Sequence, residues 1–216
     1  MTTIRPPDFI TFTGADDQTP IDGMQSLSKR YPIEWGILLD PDKQGLDPRF
    51  PSRGALAALA ATDLRLAAHL CGGHAVDVRA GRPVRAPIDL RRFERIQINS
   101  HEATPEHAVR ISRNLGRRCI LPCKGSAFPE DEAVDWLHDL SGGRGRETRL
   151  WPRHPGRLAG YAGGIGPENV ETVLARIDAD GPYWIDMETK VRSEERFDLD
   201  LCEFVCLAIY GERPSR

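Results

Sequence analysis

The run Gly163-Gly164-Ile165-Gly166-Pro167-Glu168-Asn169-Val170 combines residue types that can grip an anion with backbone groups alone. A phosphate oxygen reaches main-chain N–H groups most closely where no Cβ intervenes, which glycine permits. The Pro-Glu-Asn-Val segment reads as a helix start, whose free N–H groups and roughly +0.5 of a charge favour the same anion. Gly163, Gly164, Ile165 and Asn169 are therefore candidate phosphate ligands, although such glycines also suit a plain tight turn. Thr189 and Lys190, in Asp186-Met187-Glu188-Thr189-Lys190, can complete the cup or belong to a solvated turn. A second cluster, Ser141-Gly142-Gly143-Arg144-Gly145, reads as a loop over the ligand, with Arg144 or Arg146 offering charge, or as a solvated loop.

Positioning these groups requires a scaffold, and short β-type runs mark one out. They are 9–13, 34–39, 65–70, 95–99, 119–122, 134–137, 157–162 and 183–187, eight in all. Helical patterns over 52–62, 104–115, 167–178 and 198–211 separate some of them, with Ser52 and Thr104-Pro105-Glu106 as start signals. Segment 124–133 has room for little more than one turn, and 72–90 is rich in Arg, Pro and Gly, which favours partial irregularity. Apolar strands alternating with helices indicate a parallel sheet covered by helices. Eight strands in about 200 residues fit one (β/α)₈ barrel spanning 1–216, near the lower size limit of that architecture. An open dinucleotide-binding sheet would need a glycine-rich loop after the first strand, and none follows it. In a barrel the site lies at the carboxyl ends of the strands, with phosphate commonly on the loops after strands seven and eight. That is where the glycine run falls.

The net charge of −3 gives no global reason to expect nucleic acid or a membrane surface as partner. No apolar run approaches the roughly 20 residues of a membrane span, and the first residues lack a signal-peptide core. Five cysteines without a C-x-x-C pair or zinc-type spacing point to a reducing, cytoplasmic setting. Cys202 and Cys206, four apart on an apolar helical face, read as buried packing.

Taken together, the glycine run, Asp139 ahead of the second glycine cluster, Pro48-Arg49-Phe50-Pro51-Ser52 and Ile185-Asp186-Met187 with Val191 resemble phosphoribosylanthranilate isomerase. The likeness extends over essentially the whole chain. The phosphate motif is fairly specific; the other segments are individually weak but fall in order on the right strands. The resemblance implies an Amadori rearrangement of an N-linked aldose 5-phosphate, which needs an acid to open the ring and a base to take the C2 proton. It implies Asp139 as the acid and Arg49 as the holder of a substrate carboxylate, with Gly142, Gly143 and Asp186 also at the substrate. The family's strand-one cysteine base corresponds to Thr13, and its lysine on that strand to Thr11. A threonine hydroxyl has no useful basicity near neutrality without an activator.

The sequence therefore predicts a diverged isomerase on a phosphorylated sugar or sugar-amine. Substitute bases at strand ends are Asp16, Asp17, Asp40, His69, Cys71, Cys123, Lys124 and His138. His69 and Cys71, two apart, can share a face, whereas the neighbours His138 and Asp139 cannot. No cofactor or metal is expected, and the chain is expected as a monomer or homodimer. The rival readings are a noncatalytic phosphometabolite-binding barrel and a metal-dependent sugar-phosphate epimerase or aldolase drawing on Asp40, Asp42 and His69.

Overall fold

A computed structural model describes residues 4–140 and 150–213. The eight strands are β1 (Phe9–Thr13), β2 (Ile33–Leu39), β3 (Leu66–Leu70), β4 (Arg95–Ile98), β5 (Arg118–Cys123), β6 (Asp135–Asp139), β7 (Ala159–Ala162) and β8 (Tyr183–Met187). They are parallel and run in sequence order around a closed barrel, with β8 paired to β1. The expected fold is the observed one.

Helices α1 (Ile21–Arg30), α2 (Arg53–Ala60), α3 (Gly72–Arg79), α4 (Pro105–Leu115), α5 (Val170–Ile177) and α6 (Leu199–Tyr210) cover the outside. Ser52 caps α2 through Ala55 N–H, and the Thr104 amide donates to the His107 ring at the start of α4. The helices α1 and α3 are additions to the sequence reading; α1 buries Met24 and Leu27, and α3 takes up the first part of the segment 72–90. Between Ala80 and Asp89 the chain is irregular, as the Arg, Pro and Gly content suggests. A two-stranded hairpin, β9 (Arg192–Ser193) and β10 (Arg196–Phe197), follows β8.

Among the described residues no helix follows β5 or β6. There an aromatic group does a helix's covering: Phe128 meets Tyr161 edge-on at 5.3 Å, and Trp151 meets His138 and Tyr161 at 6.0 and 5.9 Å. Large rings packed edge to face bury much apolar surface from short segments. No helix of the described residues is long and apolar enough to cross a membrane.

Alternation along the strands sends one set of side chains outward into the main core and the other into the barrel. The lower interior holds Phe9, Ile120, Leu137 and Trp184 as an apolar group, with Phe9 and Trp184 stacked at 5.9 Å. Beside it lies a charged network. Arg95 makes two bonds to Glu34 (2.5 and 3.0 Å) and lies 3.8 Å from Asp135. Arg118 holds Asp135 at 2.8 Å, and Arg65 reaches Glu34 at 3.1 Å. The Arg95 guanidinium also stands 4.2 Å from the Trp184 ring centre. Burial opposes ionisation of Glu34, yet Arg95 and Arg65 hold its carboxyl below the usual carboxylate range.

Candidate active site

The carboxyl ends of the strands enclose a cavity of about 350 Å³, within the range of small-molecule sites. Its lining includes Thr13, His69, Gln97, Asp139, Asp186 and Glu188, together with Gly163, Gly164, Ile165, Thr189 and Lys190. Residues called from distant parts of the chain thus meet in one place.

The glycine loop follows β7 directly. Gly163 and Gly164 have φ of 119° and 67°, a backbone region that L side chains rarely occupy. Among the described residues the amides of Gly163, Gly164 and Ile165 donate no hydrogen bond. Asn169 has a different task. Its Oδ1 accepts from Gly166 N–H and its Nδ2 donates to the Gly164 carbonyl, both at 2.9 Å. It braces the loop and does not line the cavity, while α5 begins at Val170 with Asn169 as its cap. Lys190 packs its stem against Gly166 and lines the cavity beside the loop.

Asp139 ends β6 and faces the cavity, while its neighbour His138 turns outward onto Phe128 and Trp151. Burial keeps the His138 ring toward its neutral form. Asp139 and Asp186 stand at the same level, each in register with Ala162 of β7. Two strand spacings, about 9–10 Å, separate their backbones. The two carboxyl groups therefore flank the strand from which the glycine loop departs.

Asp186 is buried, and its Oδ1 accepts a hydrogen bond from Thr13 Oγ1 at 2.8 Å. It has no cationic partner among the described residues. Burial pushes its carboxyl up to about 8 against the pull of the Thr13 bond, and the charges of Glu188, Asp139 and Glu34 push the same way. Gly36 makes space for this arrangement, because a Cβ there would collide with the Thr13 hydroxyl and meet the His69 ring at 3.0 Å.

His69 points inward, and burial lowers its ring to about 4, so it is a neutral imidazole at physiological pH. His69 Nε2 and Gln97 Oε1 are buried without a partner among the described residues, on neighbouring strands in direct register. Both atoms are open to hydrogen bonding from within the cavity. Gln97 and Glu188 were not anticipated. The polar residues Arg95, Gln97 and Asn99, each two apart, were the available sign that this strand turns a polar edge inward.

Cys71 lies elsewhere. It precedes α3 outside the cavity lining, accepts from Asn99 Nδ2 at 3.1 Å, and burial pushes its thiol up to about 12. Cys123 is likewise a thiol raised to about 12 by burial. Asp16 binds Arg192 and the Phe197 amide, tying the β1 loop to the β9–β10 hairpin. Asp17 accepts from Ser52 N–H, and Asp40 from Asp42 N–H. Lys124 lines the cavity from the end of β5. Among the described residues no three His, Cys, Asp or Glu side chains are grouped as a metal site requires.

Arg49 sits at the rim and is occupied by carboxylates, Asp47 at 3.1 Å and Glu188 at 3.4 Å. The hydrogen bond to Asp47 raises the Arg49 guanidinium further. Glu188 is raised by burial despite Arg49. Gly142 and Gly143, with Arg144 and Arg146, lie outside the described residues.

No protein-family model matches the sequence, and no curated protein does. Solved structures do match by fold. N-(5'-phosphoribosyl)anthranilate isomerase from Pyrococcus furiosus aligns with a TM-score of 0.63 at 14% identity, over 94% of this chain and 99% of that one. The monomeric form of the dimeric phosphoribosylanthranilate isomerase from Thermotoga maritima gives 0.62 at 13% identity, over 94% and 98%. The tryptophan synthase A-subunit of Pyrococcus furiosus, a different enzyme, gives 0.53 at 14%, over 96% and 98%. This chain is a closed (β/α)₈ barrel of the kind seen in the phosphoribosylanthranilate isomerases.

Proposed function

We propose that the barrel isomerises a phosphorylated sugar or sugar-amine by acid–base proton transfer, as an Amadori-type rearrangement. One observation carries this reading: unused loop amides after β7 share a cavity with carboxyl groups on both flanking strands. The ligand phosphate rests on Gly163, Gly164 and Ile165, with Thr189 and Lys190 beside it. This anchor places the sugar carbons over the barrel mouth, where His69 and Gln97 meet its hydroxyl groups.

Asp139 is the acid that opens the furanose ring by protonating the ring oxygen. With Arg49 engaged by Asp47 and Glu188, a carboxylate on the nitrogen substituent must compete for it. The substrate nitrogen therefore need not carry anthranilate. A noncatalytic barrel would explain Thr13 but leaves the two carboxyl groups beside the anion loop without a use.

The direct test is turnover of phosphoribosylanthranilate, followed by the loss of its fluorescence, alongside other ribosylamine 5-phosphates. Turnover that Asp139→Asn abolishes, and that inorganic phosphate inhibits competitively, is the expected result. Thermal stabilisation by these ligands with no conversion of any of them would favour the noncatalytic barrel.

A further inference from the structure

The isomerase reading leaves the base unassigned, and four facts about Asp186 bear on that vacancy. Its side chain is in the cavity, buried, level with the last residue before the glycine loop. It belongs to β8, the strand paired with β1. Its recorded side-chain hydrogen bond comes from Thr13, the residue at the place where the resembled family has its cysteine base. No cation neutralises it among the described residues, although Glu34 and Asp135 in the lower barrel each have one.

We propose that Asp186 is the general base of this barrel and that Thr13 is its positioning residue. The assignment rests on the isomerase reading and names the group that serves that reaction. Asp139 protonates the ring oxygen, the C1–O bond breaks, and the nitrogen lone pair forms the C1=N bond of an iminium ion. The Asp186 carboxylate removes the C2 proton; those C–H electrons become the C1=C2 bond, and the C=N π pair returns to nitrogen. The protonated Asp186 then delivers a proton to C1, while the C2 hydroxyl proton passes to Asp139 and the C2 ketone forms. Both carboxyl groups end in their starting states.

A carboxylate that ionises near 8 is a far stronger base than an ordinary one, and it remains partly ionised at neutral pH. Burial sets this value first, with the Thr13 bond opposing it and Glu188, Asp139 and Glu34 adding to it. The titratable groups that face the cavity or act on Asp186 are Glu34 on β2, His69 on β3, His101 and Lys124 after β4 and β5, Asp139 on β6, and Glu188 and Lys190 after β8. The Thr13 hydrogen bond stabilises the ionised form and orients one oxygen, leaving the other for substrate.

The test uses the full chain with phosphoribosylanthranilate and the other ribosylamine 5-phosphates, and follows both kcat/KM against pH and deuterium incorporation at product C1 in heavy water. Asp186→Asn should lower kcat by about 10²–10⁴-fold, the usual contribution of a general base. Protection against thermal unfolding by inorganic phosphate should persist in that variant, and Asp186→Glu should recover part of the rate. In the wild type kcat/KM should rise with pH through about 8, and Thr13→Val should move that limb to higher pH. Turnover in Asp186→Asn within tenfold of wild type would overturn the assignment while leaving the isomerase reading intact. If that variant fails to fold, an unmoved pH limb in Thr13→Val overturns it instead. A wild type that converts none of these substrates removes the isomerase reading and the base together, and phosphate protection then speaks only for the grip.

Discussion

The lower interior of this barrel and the surroundings of Asp186 treat buried charge in opposite ways. At the lower end Glu34 and Asp135 are held by Arg95, Arg118 and Arg65, so burial is offset by paired charges and hydrogen bonds. Inside the cavity Asp186 has a threonine hydroxyl for company, and His69 Nε2 and Gln97 Oε1 have no partner among the described residues, whereas Asp16 and Glu188 nearer the rim are each met by an arginine. Carboxylates that are satisfied contribute to folding, whereas an unsatisfied one is held at a cost the rest of the fold must cover. Unpaired polar groups at the carboxyl ends of barrel strands are where ligands bind. The contrast therefore separates scaffold from site without reference to any reaction.

The sharpest way to break the comparison is Arg95→Met. It strands Glu34 without its main partner, and removing one member of a buried ion pair costs about 3–5 kcal/mol. Urea unfolding near pH 7 should show that loss; a loss under about 1 kcal/mol would mean the lower network is no more compensated than the upper site.

Asp186→Asn should act in the other direction. The folded carboxyl ionises near 8 but the unfolded one near 3.9, so the folded state holds the extra proton between those values. Wild-type stability is then greatest below about pH 4 on this account and falls as pH rises toward 8, by at most about 1.4 kcal/mol per pH unit. The variant should flatten that slope and be the more stable protein at pH 8–9. Parallel melting curves of the two proteins from pH 5 to 9 would contradict it.

His69 supplies the mirror image. Its ring is neutral in the fold and ionises near 4, against about 6.5 when exposed, so stability attributable to it is lost as pH falls through that interval. His69→Gln should soften the acid-side loss of melting temperature, and an unchanged acid limb would place the loss on another group. A smaller effect is expected at the loop. Gly164→Ala forces a side chain into φ near +67°, costing about 1–2 kcal/mol, and should weaken protection by phosphate more than it lowers the melting temperature.

Much of this was legible beforehand, and the limits are instructive. All eight strands were marked within a few residues, because each carries apolar residues and is largely buried in the barrel wall. The helices α1 and α3 escaped notice, α1 because it buries just Met24 and Leu27 and α3 because it opens on Gly72-Gly73 with no amphipathic period, and the region after β5 and β6 is covered by rings that carry no period at all. At the site, Asp139 and the glycine loop were named from their own neighbours in sequence. Asn169 was named too, but its amide works within the loop. Arg49 was named as an anion holder, and Glu188, 139 residues away, is what occupies it.

Taken alone, the amino-acid sequence determined the barrel, the place of the glycine loop on its seventh strand, and the alternation by which Asp139 and His138 cannot both point inward. Those are consequences of local periodicity and backbone permissiveness, which neighbouring residues carry. Only the closed tertiary structure decided that Asp186 and Thr13, separated by 173 positions, share a hydrogen bond, and that Asp186 is buried without a counter-charge among the described residues. Proton affinity depends on solvent exclusion and on every charge within reach, and closure of β8 against β1 is what brings those neighbours together.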